Sequence, residues 1–183
     1  MELETERLLL RELDDGDLDD LVRLADNLNV SRYLAVVPHP YLEEDGDWYI
    51  TDCKKKAKQD PRKNFSLAII RKSDQQFLGC IGLSSVDYYT KSATLGYWLG
   101  EPYWRKGYMY EAVRRIIEFA FFELGLIRIN VEAYTENVGS NALLEKVGAT
   151  YEGLRRQYSR TKSTGDFMDA HIYGILRENY VKD

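Results

Sequence analysis

Strand-like and helix-like stretches alternate along this chain in the order β-α-α-β-β-β-α-β-α-β-β. That order predicts an α/β (α+β) fold, one domain built on a mixed, mostly antiparallel twisted sheet of about seven strands. Three observations carry the prediction. Three strand-like segments follow one another within residues 64–100, separated only by short turns, as in antiparallel hairpins. A helical apolar face runs through residues 112–124, soon after the last of them. The 183 residues show no repeat, low-complexity tract or long linker, which favours a single domain over 1–183. A chain of this length buries roughly 70% of its unfolded surface and supports a core without staples.

The elements follow in order. "ERLLLREL" (6–13) reads as the first strand. "DDGDLDDLVRLADN" places Leu18, Leu21, Val22, Leu24 and Ala25 at helical spacing, with acids where the helix dipole favours them. Asp14, Asp15, Asp17, Asp19 and Asp20 are either a charged helix start or a rim that attracts a cationic substrate. Residues 42–60 read as a second helix, ended by Pro61. "NFSLAIIRK" (64–72) and "QFLGCIGLSSVD" (76–87) form a hairpin, and "KSATLGYWLG" (91–100) a fourth strand. The next helix runs to about Leu124, its apolar face being Ala112, Val113, Ile116, Ile117, Ala120 and Leu124, with Gly125 as its cap. "IRINVEAYT" (127–135) alternates as a strand. A short helix over 139–148 closes on Gly148, and two strands around the turn "KSTG" complete the chain.

Composition narrows the function. The net charge of −5 argues against a broad nucleic-acid-binding face, so no DNA partner is expected. Cys53 and Cys80 form no CxxC pair, and with only His39 and His171 beside them no zinc spacing can be built; no metal is expected. Two buried thiols in a reducing cytoplasm is the plainer reading, with a single disulfide left open. The charged start "MELETERLLL" is not a signal sequence, and no apolar run approaches the ~20 residues of a membrane span. A cytoplasmic protein without membrane contact is expected, as monomer or homodimer.

The stretch "EPYWRKGYMYEA" (101–112) carries the chemistry. A packing helix has no use for Trp104, Arg105, Lys106 and Gly107 at its start. An anion site does: the first four N–H groups of a helix lack partners, and the dipole puts about half a positive charge there. Gly107 allows close backbone approach, and the cations add charge. The alternative is an eased turn with solvated cations. There is neither a GxGxxG nor a GxxxxGK[ST] pattern, so the anion is the pyrophosphate of some other cofactor.

"LGYWLGEPYWRKGYMYEA", "ENVGSNALLEKVGA", "YEGLRR" and "DAHIYGIL" together resemble the GCN5-related N-acetyltransferases, and within them the RimJ/RimL group of ribosomal-protein N-terminal acetyltransferases. The resemblance spans nearly the whole chain. It implies acetyl-CoA as donor and a splayed strand pair that binds it. The family's phosphate loop falls on Trp104, Arg105, Lys106, Gly107, Tyr108 and Met109. Met109 replaces the usual glycine or alanine, so its side chain must turn aside if the diphosphate is to fit. Trp98 and Leu99 would bond the pantetheine arm by main chain, and an N–H of the same strand would hold the oxyanion. Their side chains are equally those of sheet packing. Asn137 would bond the pantetheine and Ser140 would sit near the thioester sulfur, although both are also N-cap residue types. The usual tyrosine acid, seven residues after the asparagine, is here Leu144. The resemblance then implies Ser140 as the group that assists the leaving thiolate and Glu152 as the base that takes a proton from the acceptor amine. His39 and Tyr134 are further candidates for contact with the acceptor. Arg155, Arg156, Arg160 and Lys162 read as a solvated edge of the last hairpin or as a contact for RNA or an acidic partner.

The expected activity is transfer of acetyl from acetyl-CoA to a primary amine, in first place a protein or peptide N-terminal α-amine. An acidic surface would instead suit a polyamine or aminoglycoside. A non-catalytic acyl-CoA-binding sensor is the alternative of another class.

Overall fold

A computed structural model describes residues 1–181. Eight strands form one sheet in the order β1-β2-β3-β4-β5-β6-β8-β7. They are β1 (Glu2–Glu4), β2 (Leu8–Glu12), β3 (Phe65–Arg71), β4 (Gln76–Asp87), β5 (Ser92–Leu99), β6 (Arg128–Tyr134), β7 (Thr150–Arg160) and β8 (Phe167–Leu176). Every neighbouring pair is antiparallel except β5 and β6, which are parallel. The helices are α1 (Leu18–Ala25), α2 (Leu28–Ser31), α3 (Glu43–Ala57), α4 (Tyr108–Glu118) and α5 (Val138–Lys146).

The predicted class and order hold, with two additions. The N-terminal segment forms two strands rather than one, because residues 5–7 turn back and β1 pairs with β2. The single turn of α2 follows α1, started by the Asn27 side chain, which accepts from Asn29 N–H. Burial at successive positions of β3 and β4 shows that both faces of the sheet centre are covered. α1 and α3 pack on each other and against β4 and β3, while α4 packs against β1, β2 and β4. Gly46 permits the α1–α3 contact: a Cβ there would lie 2.8 Å from Leu18 Cδ1 and 2.9 Å from Val22 Cγ2.

The acidic run is consumed in building this corner. Asp14 caps the turn before α1 by accepting from Gly16 N–H. Asp17, 4% exposed, takes two hydrogen bonds from Arg11 at 2.7 and 2.8 Å. Asp15 pairs with Lys54 and Asp20 with Arg23. As a rim for a cationic substrate the run is largely neutralised. Cys53 and Cys80 are free and buried, and burial raises both thiols above their ordinary range. Among the described residues no helix is long and apolar enough to cross a membrane.

Candidate active site

β5 and β6 pair through only three rungs, Ser92–Arg128, Ala93–Ile129 and Thr94–Asn130. Beyond Thr94 each strand continues with a partner on its outer side alone. β5 stays on β4 through Leu99, and β6 stays on β8 through Tyr134. Their facing edges thus diverge and hold backbone N–H and C=O groups that no strand occupies. A register shift in the β4–β5 ladder between Ser84 and Asp87 bends the sheet where the divergence starts. An extended amide chain entering such a gap finds the hydrogen bonds that a strand would find.

At the end of β5 the chain turns through 101–107 into α4. Gly107 has a φ of 81° and is the N-cap of α4, with no side chain capping the helix. The left-handed backbone and the open first turn suit close approach of an anion. Met109 does turn aside, being 9% exposed and part of the main core. Arg105 and Lys106 are exposed beside the turn. Trp104 is also exposed, at 37%, but its indole donates to the Leu99 carbonyl at 2.8 Å and fixes the end of β5. Trp98 lies against Phe77 with ring centroids 6.3 Å apart, so its side chain packs while its main chain stays on the divergent part of β5.

Sequence reasoning missed the brace behind this turn. Glu111, in the first turn of α4, accepts from Thr5 Oγ1 at 2.5 Å, from Arg7 N–H at 2.8 Å and from Arg7 Nε at 2.7 Å. Arg7 also donates to the Lys106 carbonyl at 3.1 Å and stacks 4.7 Å from the centre of the Tyr108 ring. Arg71 reaches the same ring from the other strand neighbour. Burial opposes ionisation of Glu111, but its bonds to Thr5 and Arg7 outweigh that and hold its carboxyl below the ordinary range. The signal was present as "ETERL" and "YEA", but nothing in the sequence joins segments about a hundred residues apart.

On the opposite arm, Asn137 is the N-cap of α5 and accepts from Ser140 N–H at 3.1 Å. The Ser140 hydroxyl lies 2.8 Å from the Tyr97 hydroxyl. A phenol on β5 and a serine on α5 therefore meet across the divergence. Burial pushes Tyr97 up to about 12, partly offset by the bond to Ser140, so the phenol stays protonated near neutrality. Leu144 is fully buried. Asn141 ties the arm together: it donates to the Tyr134 and Asn137 carbonyls, and its carbonyl meets His171 Nδ1 and accepts from Tyr173 Oη, each at 2.8 Å.

The remaining candidates are engaged with neighbours of their own. Glu152 is paired with Arg128 through two contacts, Nη1–Oε1 at 2.9 Å and Nη2–Oε2 at 2.5 Å. The Arg128 hydrogen bond holds the carboxyl below the ordinary range; burial opposes it and the Arg128 charge adds to it. A carboxylate so held is a weaker proton acceptor than an unpaired one. Glu132, on the divergent part of β6, is less committed, with Arg155 Nη1 at 3.5 Å. His39 sits 3.1 Å from Asp26, which also accepts from Tyr41 N–H at 2.8 Å, so it fastens the loop after α2 to the end of α1. Tyr134 is buried with Met168 and Ala170 and its hydroxyl meets Ser159 Oγ, which makes it a wall of the arm rather than an open contact. Beside it lies a cavity of about 250 Å³ lined by Arg32, Glu136, Thr164, Asp166, Phe167 and Met168.

Comparison with known proteins agrees with this geometry. Residues 7–150 match the family described as the acetyltransferase (GNAT) domain. The uncharacterized N-acetyltransferase p20 of Bacillus licheniformis is 31% identical over 178 residues, which are 97% of each chain. Among solved structures, RimJ of Mycobacterium smegmatis in complex with CoA-disulfide superposes with a TM-score of 0.81 at 22% identity, covering 96% of this chain and 85% of that one. Spermidine N-acetyltransferase of Vibrio cholerae in complex with CoA and spermine gives a TM-score of 0.81 at 21% identity, covering 97% and 100%. These last two likenesses are of fold. Two diverging strands followed by a glycine-capped helix, and a sequence match over most of the chain, lead to one assignment: the chain belongs to the GNAT acetyltransferase family.

Proposed function

We propose that the protein transfers acetyl from acetyl-CoA to the N-terminal α-amine of a peptide or protein. The carrying observation is the divergence of β5 from β6 immediately before the Gly107 turn. Gly107, Tyr108 and Met109 would hold the diphosphate by backbone N–H groups, with Arg105 and Lys106 adding charge. The edges of Trp98 and Leu99 would hold the pantetheine arm, Asn137 its far side. The thioester supplies the acetyl group; the amine nitrogen bonds its carbonyl carbon, the C–S bond breaks, and the electron pair leaves on sulfur. A β5 N–H faces the oxygen where charge develops, and Ser140 faces the sulfur. The proton lost by nitrogen balances the one gained by sulfur. An α-amine of pKa ~7.8 is roughly 10% neutral at pH 7, against about 10⁻³ for a lysine-type amine. The weak basicity of Glu152 is therefore tolerable for an α-amine and a handicap for a polyamine.

The cavity beside Tyr134 holds Arg32 together with Glu136 and Asp166, so its charge does not choose between a peptide and a polycation. The spermidine enzyme among the neighbours supports the polyamine alternative. The test is CoA release from acetyl-CoA with serine- and alanine-initiated peptides against spermidine. Saturable turnover is expected, with kcat/KM at least about tenfold higher for peptides. Turnover on spermidine alone overturns the acceptor. Saturable CoA binding by calorimetry with no turnover on any amine would instead establish a binding module.

A further inference from the structure

Of the hydroxyl pair across the divergence, Tyr97 has no role in the reading so far. Tyr97 comes from the part of β5 that has left β6, and Ser140 from the first turn of α5. Their oxygens are 2.8 Å apart, and either can donate. The Ser140 main chain is fixed independently by the Asn137 cap at 3.1 Å. Leu144, on the same helix, is apolar and fully buried and cannot take the phenol's part.

We infer that Tyr97 is a positioning residue for departure of the thiolate: its phenol donates to Ser140 Oγ and leaves the serine's own hydrogen free to point at the leaving sulfur. The inference rests on the acetyl-transfer reading. The direction of donation decides the matter. A hydroxyl has one hydrogen. If Ser140 donates to Tyr97, the sulfur receives nothing from it. If Tyr97 donates, Ser140 accepts with a lone pair, and its hydrogen is directed away from the phenol. The phenol favours this direction, because phenols are stronger hydrogen-bond donors than aliphatic alcohols. Burial keeps it protonated, being pushed up to about 12. No net proton leaves either residue: as the C–S bond breaks, Ser140 hydrogen-bonds the forming thiolate, and the thiol product takes the proton that the amine nitrogen gives up.

A purely structural brace would show up in stability and in acetyl-CoA binding; a positioning role shows up in turnover and only while Ser140 is present. The experiment is a double-mutant cycle of Tyr97→Phe and Ser140→Ala. Turnover is read with acetyl-CoA and the best amine of the peptide and spermidine panel, or as acetyl-CoA hydrolysis if no amine is faster than water. Tyr97→Phe is expected to lower kcat about tenfold with KM for acetyl-CoA within about twofold, and the double variant to be no slower than Ser140→Ala alone. Equal fold-losses from Tyr97→Phe in the presence and absence of Ser140 overturn the inference, as does wild-type kcat in either single variant. If Tyr97→Phe does not fold, 3-fluorotyrosine at 97 keeps the shape and strengthens the donor. A raised kcat is then expected, and an unchanged one overturns the inference. Failure of the acetyl-transfer reading is distinguishable, because it appears in the unsubstituted protein, as absence of any CoA release.

Discussion

Glu152 and Arg128 show how one contact redefines a residue. Both side chains are about one-third exposed, at 34% and 33%, so the pair contributes at most ~1 kcal/mol to stability once solvent screening is counted. Its chemical effect is larger, because a carboxyl held below the ordinary range is ionised throughout neutral pH and gains nothing as an acceptor when pH rises. Glu152→Gln is expected to leave the shape of the kcat/KM profile between pH 7 and pH 9 unchanged. A rate loss at pH 7 that recovers at pH 9 would restore it as a base. The carboxylate reaches this place because Gly174 has no side chain: a Cβ there would lie 2.3 Å from Glu152 Oε1. Glu152 and its strand were readable in "YEGLRR", but Arg128 lies on another strand, and only the β6–β8–β7 order brings them together. Met109 is the converse case. The sequence placed it in the phosphate loop with its side chain turned aside, and that side chain is buried in the main core. Met109→Ala is expected to lower stability by about 2 kcal/mol or more while CoA affinity stays within about twofold, as read by denaturant unfolding and calorimetry. A large loss of affinity without destabilisation would place its side chain at the phosphates.

At the scale of elements, the N-terminus of α4 is held from outside the helix. Glu111 joins it to the turn before β2, and Arg7 carries the Lys106 carbonyl, so the glycine turn is clamped on both sides. Preorganised N–H groups bind an anion without an ordering cost at the moment of binding. Removing the clamp should therefore appear mainly in binding: Glu111→Ala is expected to weaken CoA about tenfold by calorimetry. Unchanged affinity would show that the turn orders itself. Gly107 and the apolar face of α4 were plain in the sequence; the clamp was not, since its parts are separated by the whole N-terminal half of the sheet. The end of α4 was also hidden. The helix widens into a π turn over Phe119–Glu123, with Leu124 N–H bonding the Phe119 carbonyl at 3.0 Å, which buries Phe119, Ala120 and Phe121. Helical periodicity alone does not distinguish an α from a π hydrogen bond there. The divergence of β5 from β6 likewise leaves no trace in alternation, because both strands keep their two-residue period past Thr94. It was readable only through family resemblance.

At the scale of the whole molecule, alternation and turn residues gave the order of elements, but the insertion of β8 between β6 and β7 belongs to the assembled sheet. Assembly also sets how stability varies with pH. On the acid side, the carboxyls of Glu12, Glu111 and Glu152 are held below their ordinary range in the folded state. A depressed folded value means that the unfolded chain binds protons first, so their contribution is complete above the unfolded carboxyl pKa of ~4.3 and is lost as pH falls through the folded values. On the alkaline side, burial raises Cys53, Cys80 and Tyr49. A raised folded value works in the opposite sense: the contribution is complete below the unfolded thiol pKa of ~8.5 and is lost as pH rises beyond it, as the unfolded chain releases protons that the fold retains. Each group contributes a slope of up to ~1.4 kcal/mol per pH unit between its two values. The two limits enclose a plateau that contains the pH at which an α-amine acceptor becomes neutral, so a fall in rate there reports chemistry rather than unfolding. Thermal unfolding followed by circular dichroism from pH 3 to pH 10 is expected to give a level Tm between about pH 5 and pH 8, falling on both sides. A Tm that keeps rising above pH 9 would show that the thiols are not protonated in the fold, and one that stays level down to pH 3 would show that the ion pairs around α4 and β6 contribute nothing.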